Sequence, residues 1–364
     1  MSSTSHMRGA RSDDAVPAPA STRGELGPPP PRQAWVARGP KQPLVRESVD
    51  LGPLGADEVE VAVEHCGLCH SDLSVLENAW GISQYPAILG HEVVGRVTAA
   101  GANAKGIQVG QRVGVGWMSA SCMHCRQCLS GNQHLCPHVQ LTIVGHRGGF
   151  ASHVRAHWAW TLPLPEGLAF ADAGPLVCGG VTVFAPLHRF ASPTDRVGIL
   201  GIGGLGHMAV KFAAAYGCEV TAFTSSESKF EEARGFGAHH VVGSQDRASL
   251  RKLAGTFDLL LSTVNATLDW DALIGTLAPK GRLHVVGAVL EPLPIAAFSL
   301  IGQQRCVSGS MAGPPVAIAT MLEFAARHRI APQTEHYPMS RINEALARLE
   351  SGQARYRIVL DADF

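Results

Sequence analysis

Residues 196–216 constrain the fold more than any other stretch. Arg196-Val197-Gly198-Ile199-Leu200 reads as a short buried strand, and His207 to Tyr216 follows as a helix. Between them Gly201-Ile202-Gly203-Gly204-Leu205-Gly206 matches G-x-G-x-x-G. The glycine pattern alone is weak, but a strand before it and a helix after it supply the confirming context. Glycines there permit a tight turn and let the backbone approach a pyrophosphate, whose charge sits at the helix N-terminus. The alternation continues with strands over 219–223, 257–262, 281–287 and 306–310. A helix is expected over 268–277, and two more over 316–327 and 342–351, before a last strand over 356–360. This is the pattern of a doubly wound α/β domain with a parallel sheet.

The end of the second strand reports on the dinucleotide. A NAD site places Asp or Glu there to hold the ribose 2′-hydroxyl. This chain has Thr224-Ser225-Ser226-Glu227-Ser228-Lys229 instead. Small hydroxyls beside a cation donate hydrogen bonds to a 2′-phosphate and avoid like-charge repulsion, which points to NADP. The rival is an ordinary serine N-cap with Glu227 as the acid to the ribose.

The first half of the chain is different. Val59 to Glu64 alternates apolar and polar, as a half-buried strand does. Val93 to Val97 and Gly110 to Val115 repeat such short strands between glycine-rich turns, which suggests a partly closed β-barrel. The first strand delivers the chain to Cys66-Gly67-Leu68-Cys69-His70-Ser71-Asp72-Leu73, and Gly90-His91-Glu92 follows. Cysteine, histidine and a nearby carboxylate are ligands that suit zinc. A third ligand must come from far away, and Cys178 in Pro175-Leu176-Val177-Cys178-Gly179-Gly180 is the candidate. Three protein ligands with one open position describe a catalytic zinc. Read singly, each cysteine could be a small buried apolar residue and His91 a satisfied core histidine; the joint pattern argues otherwise. Cys122-x2-Cys125-x2-Cys128-x7-Cys136 is a second metal signal, in a stretch without periodicity. Four thiolates leave no open position, so its role is structural. An iron–sulfur cluster is the rival, since Pro137 follows, but the last spacing does not match the bacterial ferredoxin run. His124, His134 and His138 are read as bystanders.

Composition narrows the class. The chain has 364 residues, enough for two domains. Thirty basic residues balance thirty acidic ones, so no basic field advertises nucleic acid. No apolar run is long enough to span a membrane. Nine cysteines without an apolar signal segment fit metal ligation in a reducing, cytoplasmic setting. Residues 1–31 read as a disordered leader rich in Ser, Pro, Ala and Arg, ending in the Pro28 to Pro31 run. Arg8, Arg11 and Arg23 fit a transit peptide, Asp13, Asp14 and Glu25 do not, and the leader is assigned no function.

With these residues assembled, the chain resembles the zinc-dependent medium-chain dehydrogenases, closest to the cinnamyl-alcohol-dehydrogenase-like, NADP-dependent aldehyde reductases. CGLCHSDL, GHEVVGRV, the four-cysteine lobe, PLVCGGVTV, GIGGLGHMAVKFA, SSESK and RYRIVLD carry the resemblance, from about residue 50 to 360. It implies a GroES-like catalytic domain over 32–179 that the chain rejoins over 313–364, with a Rossmann domain inserted over 180–312. It also implies a homodimer acting on primary alcohols or aldehydes, aromatic or medium-chain, with broad specificity. Zinc ligands carry over to Cys69, His91 and Cys178, with Glu92 close by. Ser71 matches the hydroxyl that passes a proton to substrate, and Asp72 the carboxylate that orients the ligand histidine. His70 matches a position near the pyrophosphate and Thr182 one beside the nicotinamide. Ser225, Ser226 and Lys229 match the 2′-phosphate pocket, while Val286 and Ser308 stand on strands whose ends face the cofactor. One departure is Ser74, where many relatives carry a proton-relay histidine; serine is no base near neutral pH. The segment between Cys136 and Gly149 is also short against relatives. Trp80 and Trp117 are candidates for an aromatic-friendly pocket. Rivals are conjugate reduction of an enal or iminium, a zinc-free quinone reductase, and an inactive zinc- and NADP-binding protein.

Overall fold

A computed structural model describes residues 31–364; the leader expected over 1–31 lies, but for its last residue, outside the described residues. The longest strand, Glu58–Leu68, anchors the first of two main sheets. Val59, Val61 and Val63 bury one face of it, as the alternation requires. It pairs antiparallel with Glu92–Ala100, His153–His157 and the terminal Arg357–Asp361. Register shifts at Glu60/Val61 and Val63/His65 bend the strand and curl the sheet around its core. Arg357–Asp361 in turn pairs with Thr334–Pro338, so the chain end closes a sheet begun three hundred residues earlier.

The second sheet has six parallel strands, in the order 240–243, 219–224, 196–200, 257–262, 277–285, 306–309. The strands run outward from 196–200 on one side and from 257–262 on the other, so the winding order switches between these two parallel neighbours and opens a crevice at the strand ends. The glycine turn after Leu200 sits there.

Several boundaries differ from the sequence expectation. The helix expected over 268–277 is shorter, Trp270–Gly275, capped by the Asp269 carboxylate, which accepts from Ala272 N–H at 3.2 Å. Leu277 already begins the next strand, Leu277–Val285, and Val286 lies just beyond it. The four-cysteine stretch is not wholly irregular, because Arg126–Leu129 forms a helical turn and Met118–Ala120 pairs with Gln140–Leu141. Further along the chain, a tight turn, Gly174–Val177, and a helix, Gly179–Phe190, meet at Cys178, which has φ −121 and ψ −80.

That helix joins the two sheets. Leu176, Val181 and Phe184 share one buried cluster with Ile199, Met208 and Phe212 on one side and Met321 and Leu322 on the other. Each such side chain contributes about 1.5–3 kcal/mol by leaving water. The Ile342–Glu350 helix packs on the first sheet through Ile342, Ala345, Leu346 and Leu349, the spacing of one helical face.

Candidate active site

The site is built around one buried carboxylate. Cys69 caps the His70–Leu76 helix, and Asp72 lies in its first turn. Asp72 is fully buried. One of its oxygens accepts from Cys69 N–H at 3.0 Å. The other accepts from Gly90 N–H at 2.9 Å and faces His91 Nδ1 at 3.0 Å. With Nδ1–H given to Asp72, the Nε2 lone pair of His91 points inward, and Nε2 has no hydrogen-bond partner among the described residues. Gly90 has φ +90, and a Cβ there would lie 2.5 Å from the Phe150 ring, so only glycine fits.

Nε2 is where a ligand belongs. Cys69, His91, Glu92 and Cys178 are all buried, and each offers a ligand atom within 4.8 Å of the others. Burial opposes charge on His91, yet Asp72 outweighs it and raises the imidazole well above its usual range. The Cys178 thiol donates toward Cys69 and holds it well below its usual range, while the same contact and burial push Cys178 up. Burial raises Glu92 to about 7, against the pull of Arg357. Arg357, almost fully buried, forms an ion pair with one Glu92 oxygen, and the other oxygen has no partner among the described residues. Gly67 leaves room for that oxygen, since a Cβ there would lie 2.1 Å from it. Two thiols, an inward imidazole and an unspent carboxylate oxygen fit a zinc ion in both donor type and spacing.

Around this group stand the hydroxyl of Ser71, 3.8 Å from Cys69 Sγ, and two indoles. Trp117 packs edge-on to His91 with centroids 4.8 Å apart, and Trp80 edge-on to Trp117 at 6.0 Å. His70 is exposed, Ser74 is half-buried, and Thr182 gives its hydroxyl to Cys178 O at 2.8 Å.

The second set, Cys122, Cys125, Cys128 and Cys136, also gathers its ligand atoms within 4.8 Å. Cys122 and Cys136 sulfurs are 3.5 Å apart. Backbone N–H groups point at the sulfurs, Cys128 N at Cys125 and His138 N at Cys136. The N–H of His124 is the main cause lowering Cys122 to about 6. Burial raises its neighbour Cys136 to about 11, so one proton stays between these two sulfurs until a cation replaces it, and four converging sulfurs fit a four-coordinate zinc. His124, His134 and His138 are not part of it.

The glycine turn lies beside Arg357. Gly206 packs its Cα against Gly201 O, where a Cβ would come within 1.8 Å, and Gly203 faces open space. Lys229 reaches back to the turn and donates to Ile202 O at 2.9 Å. Ser225 is exposed on a cavity of about 340 Å³, lined also by Thr224, Phe230, Gly243 and two acidic residues, Glu227 and Asp246, the second of which caps the Arg247–Lys252 helix. Ser226 and Ser228 hydroxyls are 2.8 Å apart, and Glu227 is exposed. A groove with an open glycine face and a cation at the second strand's end fits a dinucleotide with a 2′-phosphate. Ser308 Oγ accepts from the Arg282 guanidinium at 2.9 Å and pairs with His284 Nδ1 at 2.9 Å.

Two working residues escaped the sequence reading. Arg357 is one; its signal was a charge inside the apolar run Tyr356-Arg357-Ile358-Val359-Leu360. His207 is the other. It accepts from Gln333 N–H at Nε2, 3.1 Å, and so donates from Nδ1 to Gly203 O at 3.0 Å. Burial pushes it down to about 3, which keeps it neutral and fixes that tautomer.

Comparison with known proteins gives two matched families. Residues 55–166 match the alcohol dehydrogenase GroES-like domain and residues 204–327 the zinc-binding dehydrogenase domain. Aldehyde reductase AdhA of Synechocystis is 52% identical over 328 residues, covering 90% of this chain and 97% of that protein. NADP-dependent alcohol dehydrogenase C 1 of Mycolicibacterium smegmatis is 35% identical, covering 90% of this chain and 97% of that one. A solved cinnamyl alcohol dehydrogenase from Sorghum bicolor superposes with a TM-score of 0.87 at 37% identity, over 91% of this chain and 97% of its own.

Proposed function

The chain belongs to the zinc-binding, medium-chain alcohol dehydrogenase family, and on that premise we propose that it is an NADPH-dependent aldehyde reductase favouring aromatic aldehydes. The protein is an oxidoreductase that interconverts alcohols and aldehydes. The observation that carries the finer reading is the pairing of an inward His91 Nε2 and two thiols with the Trp117 and Trp80 edges beside them.

Zinc held by Cys69, His91 and Cys178 would polarise a carbonyl oxygen as a Lewis acid, and a bound nicotinamide would supply the hydride. The chain's residues do the rest. Asp72 fixes the His91 tautomer and its ring orientation. Arg357 balances the Glu92 charge, so the buried carboxylate adds little negative field where an alkoxide develops. Ser71 donates the proton to the substrate oxygen. Ser74, one turn further on and half-buried, offers a hydroxyl where a water could refill Ser71 in place of a relay histidine. Trp117 and Trp80 present flat apolar surface to an arene and exclude water. Ser225, Ser226 and Lys229 bind the 2′-phosphate, and Gly203 leaves the pyrophosphate oxygens room.

A catalytic domain from both chain ends with an inserted dinucleotide domain over 180–312 accords with Arg357–Asp361 pairing to Glu58–Leu68. A homodimer would cover Phe298, Ile301 and Val307, which are exposed around the edge strand Cys306–Gly309. A reducing cytoplasm suits nine free cysteines; among the described residues no helix is long and apolar enough to cross a membrane.

Cys69→Ala should abolish aldehyde reduction while NADPH still binds with its wild-type affinity. Undiminished turnover without that ligand would remove the zinc-site reading. Ser74 favours one second reading, hydride addition to a conjugated carbon, where the oxygen needs no fast proton relay.

A further inference from the structure

We propose that His65, His336 and Asp361, with Asp172 behind them, form a third metal site that takes a divalent transition cation. The three ligands stand on three adjacent strands. His65 is in Glu58–Leu68, Asp361 ends Arg357–Asp361 between the other two, and His336 is in Thr334–Pro338. Asp361 pairs directly opposite His65. The three offer ligand atoms within 4.8 Å of one another. His65 Nδ1 is 2.7 Å from Asp361 Oδ1, and His336 Nδ1 is 2.9 Å from the same atom.

The ring of His336 makes the case. Its Nδ1 faces Asp361 and its Nε2 faces Asp172 at 3.0 Å. A neutral imidazole carries one proton, so one nitrogen would then point a lone pair at a carboxylate. Two carboxylates on one ring need either two protons or one proton and a cation. Asp172 also takes a hydrogen bond from the Thr334 hydroxyl. Among the described residues neither Asp172 nor Asp361 is ion-paired to Lys or Arg. Arg96 and Arg112 lie near but over Phe170, whose ring stands edge-on to His65 at 5.8 Å.

A divalent ion at the two Nδ1 atoms and Asp361 satisfies every contact. The His65 proton moves to Nε2, His336 releases its Nδ1 proton to water, and Nε2–H stays on Asp172. That leaves a carboxylate–histidine–metal arrangement, in which the outer carboxylate fixes the ligand ring. Two imidazoles and one carboxylate suit zinc, cobalt or nickel over magnesium or calcium. His336 and Asp361 are partly exposed, so water can complete the coordination. The ion would tie three strands to the segment just before the Gly174–Val177 turn, outside the active site, and should raise the thermal midpoint.

Cobalt(II) titrated into the two-zinc protein tests this. One further equivalent is expected, with d–d absorption but no sulfur-to-cobalt charge-transfer band, since no thiolate is involved. His336→Gln and, independently, His65→Gln should weaken it by more than about 100-fold, and Asp172→Asn by about 10-fold. Unchanged NADPH binding shows that the variants are folded. No third equivalent up to about 1 mM cobalt, a charge-transfer band marking exchange into the cysteine sites, or binding indifferent to both histidine variants would each overturn the site and leave a cluster held by protons alone.

Discussion

Asp72→Asn isolates the carboxylate that holds the site together. Asp72 receives three N–H groups, from Cys69, Gly90 and His91. An asparagine keeps one acceptor oxygen and replaces the other with an NH2. Whichever way it flips, a donor meets a donor in a fully buried position. Hydrogen bonds to a charged group contribute about 1.5–3 kcal/mol each, and an unmet buried donor costs about 1–3 kcal/mol. Losing one or two such bonds therefore takes about 3–5 kcal/mol from the folded, metal-competent arrangement. Part of that is felt by the metal: freeing the His91 ring should weaken zinc by about 10–100-fold. Competition against a chromogenic chelator, with zinc counted per chain, measures it. The wild type should hold two zinc ions under chelator conditions that leave the variant one, because the four-cysteine lobe does not touch Asp72. If the variant keeps both ions with affinity within about threefold, well under the tenfold step of 1.4 kcal/mol, the orienting role is refuted.

Lys229→Ala should raise the KM for NADPH by about tenfold, roughly one surface-accessible charged hydrogen bond, and leave that for NADH unchanged; equal effects on both would place Lys229 away from the 2′-phosphate. Glu60 is buried between Arg155 and Arg32; burial raises its carboxyl, but the two guanidiniums outweigh that and hold it below its ordinary 4.5. A depressed carboxyl stabilises the fold above pH 4.5, and that stabilisation is lost as pH falls through the lower folded value. The stability gap between wild type and Glu60→Gln, measured by urea unfolding, should therefore be about 1–3 kcal/mol at pH 7 and shrink below pH 4.5; a gap constant down to pH 3 would contradict the pairing.

Much of this was legible before any coordinates. The glycine turn was fixed by a local pattern, and each cysteine set by ligand chemistry, so Cys69, His91 and Cys178 could be grouped across more than a hundred residues. What stayed hidden depended on contacts distant in sequence. Arg357 matters because strand pairing at the chain end brings it to Glu92, and no local rule says so. His207 bridges Gly203 and Gln333, a contact that exists only once the helix docks. The helix expected over 268–277 was overrun because Leu277, apolar and in phase with the helix, joins the strand beside Phe257 instead. The neighbours of Ser308, Arg282 and His284, likewise follow from the pairing of Leu277–Val285 with Cys306–Gly309 and from no local rule.

The most direct test is product analysis after the purified protein is incubated with NADPH and cinnamaldehyde. Cinnamyl alcohol is the expected product, with hydride delivered to the carbonyl carbon and the proton to its oxygen despite Ser74. Formation of the saturated aldehyde would instead place hydride on the carbon–carbon double bond and contradict carbonyl reduction at the zinc site.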